Sequence, residues 1–466
     1  MDTGRILRVL HTSDWHLGAS IEQVECRDEH KEFLEWLVDQ LEERAIDVLV
    51  VAGDIFHYQS PGNRDEKDYY DFLVKCAGIE TLRKVVIVAG NHDSPSGIDA
   101  PRHVLEALDV HVVGALPREK EKWGKKCLAP VKNDDGEVEL VVAAVPYVQR
   151  ARLGVSLEDE SDEGLHARFR QAFEGLYQEL ADRAEETYPG ARLVGTGHLT
   201  VYGEEDEPEA GDYHTALHHT QQAPRDDEGD EDDAGDGGEG EEEPEDWRTI
   251  GTIEAMGPDL FDPRYDYVAL GHIHRHMPVG GRRHIRYSGT PIATSLQEDA
   301  AARRVVQVDF DQENDEGDPP AIETVEVPKW REKLPRTGTM EELEEKLAEL
   351  HQSRSFAPAL YLTVKVTAEE LMADRLGPLQ EVLDEAYDED WRPIIVDIEE
   401  ERVDEVETRE TAETTDLDTS DPRKVFIKMY EREHQPGDIP PEEMMLAFIE
   451  LTGKITDTDT AEEGDS

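Results

Sequence analysis

Five short islands constrain this chain more than any other feature: Asp14-Trp15-His16, Gly53-Asp54, Gly90-Asn91-His92-Asp93, Gly197-His198 and Gly271-His272-Ile273-His274. Each follows a short apolar, β-rich run, respectively Ile6 to Leu10, Val48 to Ala52, Val85 to Ala89, Leu193 to Thr196 and Tyr267 to Leu270. Such runs form buried strands. In an open α/β sheet, ligands bind at the loops that leave the carboxyl ends of strands. If the five strands share a sheet, their loops bring Asp14, Asp54, Asn91 and up to five histidines to one rim.

Carboxylate, imidazole and amide oxygen together make a mixed N/O donor set, which suits manganese, iron or zinc better than calcium or magnesium. Seven or eight donors exceed the needs of one tetrahedral ion. A carboxylate such as Asp54 can bridge two ions about 3.5–4 Å apart, the spacing with which two-metal phosphoesterases activate water and stabilise a leaving oxygen.

The series D-x-H, G-D, G-N-H-D, G-H and G-H-x-H resembles the signature of the calcineurin-like metallophosphoesterases. Fuller strings narrow the resemblance: Thr12-Ser13-Asp14-Trp15-His16-Leu17-Gly18, Ala52-Gly53-Asp54-Ile55-Phe56-His57, Gly197-His198-Leu199-Thr200-Val201, and Tyr267-Val268-Ala269-Leu270-Gly271-His272-Ile273-His274. Together they look like the meiotic-recombination-eleven and SbcD family of DNA double-strand break repair nucleases. The match is close over roughly residues 5–310 and looser beyond.

The resemblance implies an α/β fold, a β-sandwich flanked by helices, with a smaller α+β capping domain and C-terminal partner-binding helices. It implies two Mn²⁺ ions, one held by Asp14, His16, Asp54 and His274 and the other by Asp54, Asn91, His198 and His272. His92 then stands beside a ligand without being one. It is the candidate to protonate the departing oxygen, since imidazole titrates near neutral pH, with Asp93 expected to orient its ring. His57 is read equally as a phosphate contact or a structural residue. The implied reaction is hydrolysis of DNA phosphodiesters, 3′-to-5′ on duplex ends and endonucleolytic on single strands and hairpins. The implied partners are a coiled-coil, zinc-hook ABC-type ATPase and a second copy of the chain as a homodimer. There is no Walker motif here, so ATP use falls to the partner. Another calcineurin-like phosphatase, acting on nucleotides or proteins, and a scaffold that mainly tethers DNA ends are the competing readings.

Organisation follows from composition and periodicity. Residues 1–318 read as the nuclease domain, in which Phe33, Trp36, Leu37 and Leu41 form one helical stripe and Tyr69, Phe72, Leu73 and Cys76 another. Trp36 is expected in the core. Alternation of strand and helix indicates βαβ units. Residues 203–246 are so rich in Glu, Asp and Gly that they cannot bury enough apolar surface to fold, and they are expected to be disordered. A capping module at 319–400, an acidic linker at 401–421, two amphipathic helices for the ATPase partner at 422–454 and an acidic tail at 455–466 complete the chain.

The chain carries 110 Asp plus Glu against 48 Lys plus Arg, a formal charge of −62. Acid spread this evenly is a device of proteins adapted to molar salt. Together with the resemblance it suggests a halophilic archaeal member; an acidic surface for a basic partner is the alternative. Three distant cysteines, no apolar run long enough to span a bilayer and no signal sequence point to the cytoplasm.

Overall fold

The computed structural model describes residues 6–402 apart from 22–23, 149–151, 154–161, 204–205, 207–255, 296–297, 299–301, 312–318, 332, 354–360, 369–375 and 388–391. Strand β1 (Ile6–Thr12) leads into a small hairpin, β2 (Ser20–Ile21) and β3 (Val24–Glu25), and then into helix α1 (Arg27–Glu43). Strand and helix alternate from there through β4 (Val48–Ala52), α2 (Asn63–Cys76), β5 (Lys84–Val88), the short α3 (Pro95–Asp99) and α4 (Arg102–Leu105), and β6 (Val110–Val113). A second series comprises α5 (Trp123–Cys127), β7 (Leu128–Lys132), β8 (Val138–Ala143), α6 (Asp162–Thr187), β9 (Arg192–His198), β10 (Tyr267–Gly271), β11 (Met277–Val279) and β12 (Arg282–Tyr287). The chain then returns through β13 (Arg304–Asp311) and β14 (Ala321–Glu326).

Two six-stranded sheets result, in the orders β14-β13-β1-β4-β5-β6 and β11-β12-β10-β9-β8-β7. In the first, β1, β4, β5 and β6 are parallel; in the second, β8, β9, β10 and β12 are. Side chains alternate along β4, so Val48 and Val50 enter the core shared by the two sheets while Leu49 and Val51 join the core under α1 and α2. Burial on both faces is why this strand has no polar residue. His11, facing the second sheet from β1, accepts from Tyr267 Oη at 2.9 Å and donates to the Leu270 carbonyl at 3.2 Å. Phe173, Leu176, Tyr177 and Leu180 of α6 belong to the same core as the second sheet, completing helix, sheet, sheet and helix layers.

Several expectations are refined. Trp36 is half-buried rather than core, because it lies at the edge of its stripe and packs on Trp330, ring centroids 6.4 Å apart. Between β5 and β6 the chain forms only short turns of helix, α3, α4 and a 3₁₀ turn at Glu106–Leu108. The first sheet extends past 318, since β14 pairs along β13 and Val327 is buried in its core. The module expected at 319–400 is a βαβαβ unit: β15 (Lys333–Gly338), α7 (Met340–Ser353), β16 (Tyr361–Ala368), α8 (Leu376–Ala386) and β17 (Ile394–Arg402), with all three strands parallel. Most of the acidic 203–246 stretch, and the linker, helices and tail beyond Arg402, lie outside the described residues. Among the described residues no helix is long and apolar enough to cross a membrane.

Candidate metal centre

The loops after β1, β4, β5, β9 and β10 meet at one rim, three from the first sheet and two from the second. Backbone bonds lock the first two loops together: Asp14 N donates to the Gly53 carbonyl at 2.9 Å and His16 N to the Asp54 carbonyl at 3.0 Å. Across the sheets, His272 N donates to Asp14 Oδ1 at 2.9 Å, and Ser13 Oγ donates to Asp14 Oδ2 while lying 2.7 Å from Ser288 Oγ. The approach is close enough to demand glycine. A Cβ on Gly53, whose φ is +94°, would lie 2.2 Å from His198 Nδ1, and one on Gly90 would lie 2.1 Å from Asp54 Oδ1. Asp14, His16, Asp54 and His272 themselves hold positive φ, at 53°, 48°, 51° and 96°. Left-handed backbone at side chains other than glycine persists where surrounding structure enforces it, and it clusters at functional sites.

Two donor groups emerge and share one atom. On one side His16 Nε2 is 3.0 Å from His274 Nε2 and 3.7 Å from Asp54 Oδ2, with Asp14 in the same cluster. On the other, His198 Nε2 is 3.2 Å from Asp54 Oδ2 and 2.8 Å from Asn91 Oδ1, which is 3.0 Å from His272 Nδ1. The structure thus brings together all seven residues expected to bind metal.

The tautomers test whether a cation fits. His198 Nδ1 donates to the Ala52 carbonyl at 2.8 Å, so in the neutral ring Nε2 carries a lone pair. That lone pair, Asp54 Oδ2 and Asn91 Oδ1 are all acceptors, and Asp54 Oδ2 is buried without a hydrogen bond. Acceptors converging in a buried site need a positive charge among them. The same pull acts on the ring: burial works against a charged His198, but the Asp54 and Asp14 carboxylates outweigh it and lift its pKa to about 9. His16, by contrast, is driven well below its ordinary value, chiefly by burial, and is neutral. Burial opposes ionisation of Asp54 too, yet the surrounding imidazoles hold it well below the usual carboxylate range.

His92 sits just outside the donor set, its ring centroid 4.8 Å from that of His16. Its backbone N donates to Asp54 Oδ1 at 2.8 Å, and its Nδ1 donates to the His57 carbonyl at 2.8 Å. Asp93 does not orient this ring as expected. Its carboxylate instead accepts from the amides of Ile55, Phe56 and Gly90 at 3.1, 2.9 and 2.8 Å, bracing the Asp54 loop against its own. His57 supplies the orienting carbonyl and stacks on His92 at 5.4 Å.

Glu298 was not foreseen. Its Oε1 accepts from His274 Nδ1 at 2.8 Å, which directs the His274 Nε2 lone pair at the donor cluster. Thr294 N and Oγ1 donate to its Oε2 at 3.0 and 3.2 Å. Burial pushes its pKa up, but the His274 ring, the Thr294 amide and Arg303 bring it down to about 2.

A layered sandwich whose central parallel strands deliver His, Asp and Asn to one rim is the architecture of a metal-dependent phosphoesterase. The sequence model of the calcineurin-like phosphoesterase family matches residues 7–276, from β1 through the last histidine island, and the chain belongs to that family. The SbcD subunit of the nuclease SbcCD from Escherichia coli K12 is 26% identical over 375 residues, covering 79% of this chain and 80% of that one. Its namesake from Rhodobacter capsulatus is 30% identical over 293 residues, 63% and 64% of the two chains. That of Bacillus subtilis is 26% identical over 470 residues, 97% and 100%.

Proposed function

We propose that the protein is the nuclease subunit of a DNA double-strand break repair complex, hydrolysing DNA phosphodiesters 3′-to-5′ at duplex ends and endonucleolytically on single strands. The observation that carries this reading is the paired donor set joined through Asp54 Oδ2, with His92 held beside it. The similarity to the SbcD subunits of SbcCD nucleases supports DNA as the substrate and a second, ATP-hydrolysing subunit as the partner.

Two manganese ions, one on Asp14, His16, Asp54 and His274 and one on Asp54, Asn91, His198 and His272, would supply a nucleophile at neutral pH and charge neutralisation at the phosphate. The chain's own residues do the rest. Water oxygen forms a new bond to phosphorus as the bond to the sugar oxygen breaks; His92 gives the departing sugar oxygen a proton, and the proton shed by the water goes to solvent, from which His92 is reprotonated. With Nδ1–H engaged by the His57 carbonyl, Nε2 is the position through which His92 passes it. The partner in this reading is a coiled-coil, zinc-hook ABC-type ATPase docked on residues 422–454, and the chain works as a homodimer. The acidic surface keeps it soluble in molar salt.

Manganese-dependent cleavage of linear duplex and circular single-stranded DNA, assayed beside a mononucleotide and a phosphopeptide, tests the reading. Release of phosphate from either small substrate with intact DNA would overturn it.

A further inference from the structure

Outside the metal centre the described surface holds a cleft of about 830 Å³ that contradicts the charge of the chain. Six of its fourteen lining residues are Arg or Lys and three are Asp or Glu, whereas the whole chain has more than twice as many acids as bases. Three of the cations are paired: Lys126 with Asp99 at 2.6 Å, Lys122 with Glu119 at 3.3 Å and Arg102 with Glu106 at 3.5 Å. Arg118 and Lys125 are exposed and make no ion pair among the described residues, and Arg152 donates to the Leu116 carbonyl at 3.2 Å. The excess positive charge is therefore carried by Arg118, Lys125 and Arg152.

The cleft lies beside the rim. Ser96, on its wall, is four residues beyond His92, so their Cα atoms are at most about 14 Å apart. On the other flank, Arg152 lies five residues beyond Tyr147, whose ring is 6.4 Å from that of His198. At about 3.4 Å of helix axis per nucleotide, the span from His92 to Ser96 corresponds to at most about four nucleotide steps.

We propose that this cleft seats the sugar–phosphate backbone of the DNA strand leaving the metal centre on the β6 side. The proposal rests on the nuclease reading above. At 1 M salt the screening length is about 3 Å, so a protein with this net charge attracts phosphates only through cations that touch them. Side chains lining a cleft do that; a diffuse positive field does not.

The test uses the full chain with Arg118→Gln and Lys125→Gln combined, since both side chains are exposed. Binding of a short single-stranded oligonucleotide is followed by fluorescence anisotropy, with metal chelated to prevent cleavage, from about 0.2 to about 2 M potassium chloride. Each phosphate contact on a single strand contributes about 0.7 to the slope of log affinity against log salt. The double variant should lose about 1.4 from that slope, so its affinity should fall about 25-fold less than wild type over a tenfold rise in salt. Adding Arg152→Gln should flatten it further. Turnover of bis(p-nitrophenyl) phosphate, which needs only the metal centre, should be unchanged. An unaltered slope with turnover intact would overturn the proposal, as would loss of inorganic phosphate binding with DNA binding retained. A wild-type protein that hydrolyses the small ester but has no affinity for DNA would instead sink the nuclease reading.

Discussion

Replacing Glu298 should weaken one metal position and spare the other. Its carboxylate, 10% exposed, accepts a hydrogen bond from His274 Nδ1 at 2.8 Å and two from Thr294. Without it the His274 ring can turn, and its buried N–H loses its acceptor. Groups that orient a ligating histidine typically contribute 10- to 100-fold in metal affinity, about 1.4–2.7 kcal/mol. Glu298→Ala removes both the acceptor and the charge and should fall near 100-fold. Glu298→Gln keeps an acceptor for Nδ1–H and should fall near tenfold. The Asn91, His198 and His272 group takes its orientation from other loops, His198 from the Ala52 carbonyl, so the two binding events should separate. Calorimetric titration of chelator-treated protein with manganese reads both, and circular dichroism checks folding. Equal weakening of both events, or wild-type affinities in Glu298→Ala, would refute the assignment.

His92→Asn should retain both metal-binding events and lose about 10²- to 10⁴-fold in DNA cleavage, whereas His272→Ala should lose manganese affinity; equal manganese loss in the two variants would defeat this separation of roles. Truncation after Ser420 should abolish co-purification of the ATPase partner while manganese-dependent cleavage persists, and a retained complex would move the docking site into the first part of the chain. The melting temperature should rise between about 0.1 M and about 2 M potassium chloride as like charges are screened, and a flat response would contradict adaptation to salt. Burial lowers the pKa of His11 to about 3 from an ordinary 6.5, so its contribution is fully present above pH 6.5 and is lost as pH falls toward 3. Wild-type stability should therefore carry an extra slope of about 1.4 kcal/mol per pH unit in that window, to a total of about 5 kcal/mol. His11→Gln should lack that slope in chemical denaturation, and an unchanged pH dependence would show that the ring is not held neutral.

What could be read from the sequence, and what could not, follows from where each strand lies in its sheet. The strands that deliver ligands, β1, β4, β5, β9 and β10, are all interior to their sheets. Interior strands under helices are apolar on both faces, so runs such as Val48–Ala52 stand out, and the ligand follows within a residue or two of the strand end. The strands with the weakest sequence signal, β7, β11, β14 and β15, are all edge strands. Three of them contain proline, Pro130, Pro278 and Pro335, which a strand tolerates only at an edge or a bulge and which argues against a strand when seen in sequence alone. The fourth, β14, has no clean period of two: Glu323 and the buried Val325 fall on one face, and Ile322, Thr324 and Glu326 on the other. Glu298 escaped for a different reason: it lies 24 residues from the histidine it orients and on no periodic element, so only the folded chain joins the two. Trp36 shows the same limit, since helical spacing names a face but not what covers it, and here the cover is Trp330, which reaches α1 from the segment after β14. Legibility of the site thus depends on its hanging from doubly buried strands, while the groups that tune it are supplied by loops whose partners are set only in three dimensions.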